Sequence, residues 1–124
     1  MSGGNITSDE TKIDMELYYR RFLSLFEEVK KDYPKFVESF MGFFKATEGP
    51  GALDTKTKEL ISIALSVKSQ CPYCITFHVK NAVVQGPARA EIVEAAMVAA
   101  LMGGGPCVAY MKYVFDACDE FGAK

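Results

Sequence analysis

The 124 residues, 49% apolar and 24% charged, suffice for one globular domain with its own core and are too apolar for a disordered chain. Fourteen basic and sixteen acidic residues give a net charge of −2 and a pI near 5.4, which excludes the broad basic surface that a nucleic acid partner requires. The longest uncharged stretch, Ala95 to Met111, is broken by Gly103, Gly104, Gly105 and Pro106, so it does not read as a membrane-spanning helix.

Residues 1–12 read as a flexible N-terminal arm and 13–124 as a single domain. From Asp14, the apolar positions Tyr18, Phe22, Leu25, Phe26 and Val29 recur at helical spacing. Pro34 suits the first turn of a second helix that carries Phe36, Val37, Phe40, Met41, Phe43 and Phe44 and stops before Gly49-Pro50-Gly51. Asp54 offers an N-cap to a third, from Thr55 to about Ser69, apolar on most sides with one polar stripe of Glu59, Ser62, Ser66 and Ser69. A fourth helix begins near Cys71 or Pro72 and ends at Gly86-Pro87. An alanine-rich helix from Ala88 to Met102 follows, and Cys107, Met111, Val114, Cys118 and Phe121 stripe the last one. No convincing strand pattern or repeat is seen, and the fold class is all-α with about six helices. Fifteen aromatics and many alanines exceed what one small core hides, which points to a homo-oligomer.

The chemistry lies in Cys71-Pro72-Tyr73-Cys74-Ile75-Thr76-Phe77-His78. A C-x-x-C pair can close into a small disulfide ring, and a helix N-terminus stabilises a thiolate through its free N–H groups and partial positive charge. His78, the only histidine, lies one turn beyond Cys74 and two beyond Cys71, so helical spacing predicts all three side chains on one face. Cys74 is nearer His78 and reads as the attacking thiol, with Cys71 resolving. Helix-terminus physics alone argues for the first cysteine instead. Glu59 needs a partner in an apolar helix: it either orients His78 for proton transfer or, near its helix start, merely complements the dipole.

Cys107 and Cys118 read as core, and the Met and Phe residues as core filling. C-x-x-C-x-x-x-H could join a fourth ligand around zinc, but no second C-x-x-C or H-x-x-x-H exists in the chain, so no structural metal is expected. The polar start, Met1 to Glu10, has neither the basic nor the apolar region of a secretion signal, which with four cysteines suggests a cytoplasmic protein.

Glu59, eleven residues, then Cys71, Cys74 and His78 resembles the motif of the AhpD-like, carboxymuconolactone decarboxylase-like superfamily. The similarity runs from about Leu17 to Phe121. The resemblance implies an all-helical fold in trimers or hexamers, and a thiol-dependent peroxidase or disulfide reductase without an organic cofactor. It implies that Cys74 attacks a small hydroperoxide or disulfide, that Cys71 resolves, and that Glu59 and His78 relay the proton. A lipoylated or thioredoxin-like protein would supply thiol reductant. AhpD carries histidine where this chain has Tyr73, a departure that bears on peroxidase strength. The tetrapeptide Cys71 to Cys74 is also that of glutaredoxins, but those need a strand before the motif, and Glu59 to Ser69 is helical. The alternatives are lactone-acid decarboxylation, which needs no thiol pair, and a non-catalytic oligomeric binding module.

Overall fold

The computed structural model describes residues 8–124 and contains no strand among them. A four-residue helix, α1 (Ser8–Thr11), precedes α2 (Met15–Asp32), α3 (Pro34–Glu48), α4 (Thr55–Lys68), α5 (Pro72–Gln85), α6 (Arg89–Gly103) and α7 (Gly105–Phe121). The six long helices match the expected ones in order and type. Residues 1–7 of the expected arm lie outside the described residues. Where the arm meets the domain, the Ile13 N–H donates to Asp116 Oδ2 at 2.9 Å, and Lys12 pairs with Asp116 and Asp119. Asp116 is almost fully buried, so these donors satisfy a carboxylate that water does not reach.

The caps explain the boundaries. Asp14 accepts from the Leu17 N–H at 3.0 Å and Asp54 from the Thr57 N–H at 2.8 Å, each filling one of the orphan donors of a first turn. Gly86 closes α5 at φ +83°, a left-handed value that glycine adopts without strain. Gly104, at φ +66°, is the entire joint between α6 and α7, in the predicted glycine run.

Helices α4, α5, α7 and α6 pack in that cyclic order as the four sides of a bundle; α2 lies across α5 and α7, and α3 rests on α2 and α4. Ile63, Val67, Ile75, Val79, Ile92 and Val114 fill the centre. Cys107 and Cys118 are buried there, as expected. Gly103 lets α6 and α7 close on each other: a Cβ at this position would stand 2.1 Å from Cys107 Sγ and 3.2 Å from Lys68 Cδ. Gly103→Ala is expected to cost about 1–3 kcal/mol by overpacking, read as a lower urea midpoint with an unchanged slope.

The aromatic residues depart from expectation. None of the nine phenylalanines is buried within the chain, and α3 contributes no buried residue at all. Phe36, Phe40 and Phe43 are 42–66% exposed. The helical period of α3 does give one apolar face, but only its inner edge meets α2 and α4. The Phe residues therefore do not fill the core; several of them wall a cavity beside the thiols.

Candidate functional site

Gln70 is the only described non-glycine residue with positive φ, at +54°, and it reverses the chain sharply after α4. Its N–H bonds the Val67 carbonyl and the Cys71 N–H bonds the Ser66 carbonyl, so the C-terminus of α4 holds the start of α5 in place. Cys71 is the N-cap of α5, its sulfur accepting from the Cys74 N–H at 3.1 Å, and Pro72 occupies the first turn where no N–H is needed. Cys71 and Cys74 are joined in a disulfide, with Cα atoms 5.2 Å apart.

His78 and Glu59 meet across α5 and α4, with Nδ1 2.8 Å from Oε2. Glu59 is 2% exposed, and burial pushes its carboxyl above the usual glutamate range, with His78 pulling it back down and the neighbouring Glu48 raising it further. Of the two readings of Glu59, the geometry realises the partnership with His78. With Nδ1 turned to Glu59, Nε2 is the nitrogen free to exchange a proton with a reactant.

A cavity of about 660 Å³ opens between α2, α3 and α5. Phe22, Phe26, Phe40, Phe44 and Phe77 wall it, Cys74 and His78 lie on its surface, and Lys30 and Glu27 border it. Cys71 is not part of it. That residue lines a neighbouring cleft with Leu17, Arg20, Arg21 and Tyr73, and the two openings share Phe22 and Ser24. Cys71 precedes the helix with extended backbone (φ −116°, ψ 96°), so its place beside a helical face is set by the disulfide to Cys74 rather than by the helical period. Cys74 and His78, both inside α5, share that face. Tyr73 stacks with Phe22 and meets Tyr18 edge to face, forming part of the wall between the two openings.

The sequence model of the carboxymuconolactone decarboxylase family matches residues 34–116, a span that holds Glu59, Cys71, Cys74 and His78. The chain belongs to this family. Two curated relatives, both uncharacterised, are a cox-locus protein of Paracoccus denitrificans and a protein of Cupriavidus necator. The first is 39% identical over 67% of this chain and 75% of its own length. The second is 35% identical over 73% and 80% respectively. A carboxymuconolactone decarboxylase family protein of Legionella pneumophila superposes with TM-score 0.83 at 36% identity, covering 86% of this chain and 96% of its own. One from Thermotoga maritima, whose structure is described with a suggested part in antioxidative response, gives 0.75 at 27% identity over 86% and 90%.

Glu48 is the site residue that sequence reading missed. It ends α3, its Oε1 accepts from Ser62 Oγ at 2.9 Å, and one polar atom each of Glu48, Glu59 and His78 lie within 4.8 Å of one another. Its one sequence signal is an acidic residue at a helix C-terminus, where the macrodipole disfavours negative charge. The cluster has enough donors to attract a divalent cation, but the imidazole nitrogen facing it is already engaged by Glu59. No organic cofactor is implied by these groups.

Proposed function

We propose that this family member is a thiol-dependent oxidoreductase that reduces organic hydroperoxides with the Cys71–Cys74 pair, His78 and Glu59 handling the protons. The observation that carries the reading is one opening in which a cysteine of a redox-competent C-x-x-C and a carboxylate-held imidazole face the same apolar cavity. In the reduced enzyme His78 takes the Cys74 proton. The thiolate attacks the terminal peroxide oxygen, the O–O bond breaks, and Cys74 becomes a sulfenic acid while the alkoxide collects the proton from His78. Cys71 then attacks the Cys74 sulfur, expelling water after protonation and leaving the disulfide. The balance is one dithiol and one hydroperoxide giving disulfide, alcohol and water.

The cavity walls favour a substrate with an apolar body over hydrogen peroxide. The other cleft leaves Cys71 open to the thiol of a reductant, beside Arg20 and Arg21. A reductant dithiol that attacks Cys71 expels Cys74 as thiolate next to His78 and leaves a mixed disulfide on Cys71; the reductant's second thiol then attacks its own bridging sulfur, which releases Cys71, restores the dithiol enzyme and leaves the reductant as its disulfide. The reductant class remains a lipoylated or thioredoxin-like protein, the compartment the cytoplasm, and the assembly a trimer or hexamer. Oligomerisation is supported by the apolar surface left on α4 and α6: Leu65, Met97, Val98, Leu101 and Met102 are 53–83% exposed.

The test is the mass of pre-reduced, metal-free protein after brief exposure to one equivalent of cumene hydroperoxide, with peptide mapping and sedimentation of the same sample. Loss of two hydrogens confined to Cys71 and Cys74, in a species heavier than a monomer, is the expected result. Unmodified protein, or oxidation spread over all four cysteines, overturns the peroxidase reading and turns attention to disulfide substrates and then to lactone-acid decarboxylation.

A further inference from the structure

We propose that Glu48 is the second carboxylate of a proton-sharing pair with Glu59, through which the proton held at His78 exchanges with solvent at a cleft other than the substrate cavity. The inference deepens the thiol oxidoreductase reading and, for its catalytic part, rests on it.

Three observations carry it. The first is an orphan: Glu48 Oε2 is buried without a hydrogen-bond partner, while Oε1 is satisfied by Ser62. A carboxylate oxygen that is out of water and unpaired is costly, and here it stands beside a second buried carboxylate. One proton between the two groups removes both the repulsion and the missing bond, as in other carboxylate pairs. The second is the surroundings. On Glu59 the facing ionisable groups are His78 from α5 and Glu48 from α3. Lys45 lines the adjoining cleft, and Lys58 on α4 is turned to the Gly49 carbonyl at 2.6 Å. Glu48 also meets the negative end of its own helix, which further favours a protonated pair.

The third observation is the layout. His78 lines the substrate cavity and Glu59 does not. Glu59 and Glu48 line a different cleft, of about 340 Å³, with Lys45, Asn81 and Gln85, and His78 does not reach it. The chain His78, Glu59, Glu48 therefore connects an apolar chamber to a second, more open cleft that Lys45, Asn81 and Gln85 border. The proton taken from the Cys74 thiol is given back to the alkoxide. Re-reduction by a dithiol is also balanced overall, but a proton is released where the donor thiol attacks Cys71 and one is needed at Cys74; that proton reaches His78 through the pair, as do those exchanged when pH changes. No electrons move along this route.

The experiment is infrared difference spectroscopy with hydrogen–deuterium exchange on the wild-type protein, Glu48→Gln and Glu59→Gln, with metal content measured on each sample. The expected result is a protonated-carboxyl band in wild type that persists above the ionisation of an ordinary glutamate, is missing from Glu59→Gln and is lost at lower pH in Glu48→Gln. The readout needs no peroxidase activity, so it stands apart from failure of the functional reading. Absence of the band from wild type, or an unchanged pH dependence of the band in Glu48→Gln, overturns the proposal; a stoichiometric divalent ion in place of the band does so too. If Glu48→Gln fails to fold, wild type still decides: the imidazole resonance of His78, unique in the chain, should report a second titration step above the glutamate range, and a single step refutes the pair. For the relay, Glu48→Gln should lower kcat about tenfold with KM unchanged and shift the pH profile, and Glu48→Asp should restore part of the loss. An unchanged profile would reject the relay role.

Discussion

Cys74→Ser is expected to lose peroxide consumption by about 10⁴-fold or more, because a serine hydroxyl in the same place is far from ionised at neutral pH and is a poorer nucleophile toward oxygen. Cys71→Ser should instead perform one reduction and stop, holding a sulfenic acid on Cys74 that a dimedone mass shift identifies. The two variants separate roles that local physics assigns in opposite ways. The helix N-terminus favours thiolate at Cys71, whose sulfur already accepts the Cys74 N–H. His78 and the cavity favour Cys74. The reverse pattern, with a stable sulfenic acid in Cys74→Ser, would make the dipole the deciding influence and Cys71 the attacking thiol. Background from the remaining cysteines should be negligible at neutral pH. Cys107 and Cys118 are buried, and burial pushes the Cys118 thiol up to about 11.

The helix order and most boundaries are legible in the residues because caps are local. Asp14, Asp54 and Gly86 act within three or four residues of where they stand, and Gly104 falls inside the run that was expected to break the chain. Which side of a helix faces its neighbours is not local. In α4 the polar Glu59 and Ser66 are buried while Ile61 and Leu65 are 45% and 61% exposed. Periodicity identifies a polar stripe there, but only the positions of α3 and α5 decide that it turns inward to meet Glu48 and His78.

The same limit applies to the site. Glu59 and His78 are nineteen residues apart, and their pairing could be argued from the need of a carboxylate in an apolar helix for a partner. Cys74 and His78 share a face because both lie inside α5, whereas Cys71, one residue before the helix starts, is held beside Cys74 by the disulfide rather than by the helical period. The phenylalanine cavity was hidden for a different reason. Composition says that aromatic residues are to be covered, but not whether protein, substrate or another subunit covers them.

Glu59→Gln is expected to lower turnover about 10²-fold while leaving the folded state no less stable, and more stable as pH rises. Gln offers an oxygen to the His78 Nδ1–H and an amide to Glu48, so the ring keeps its place and the orphaned Oε2 gains a donor. What is lost is a group able to gain and release a proton. The sign of the stability effect follows from Glu59 having its carboxyl raised by burial above the ordinary glutamate value. Between the unfolded and folded values the native state binds more protons than the unfolded one, so wild-type stability falls as pH rises through that window, by at most about 1.4 kcal/mol per pH unit for one group. The variant lacks this decline, and its advantage should appear above the ordinary glutamate range and grow until the folded group has ionised. Urea unfolding of reduced wild type and variant from pH 4 to 8, with kcat at each pH, checks both halves. A variant that loses stability along with activity would make Glu59 a structural anchor. A variant that keeps full activity would leave His78 without need of its carboxylate and remove the relay.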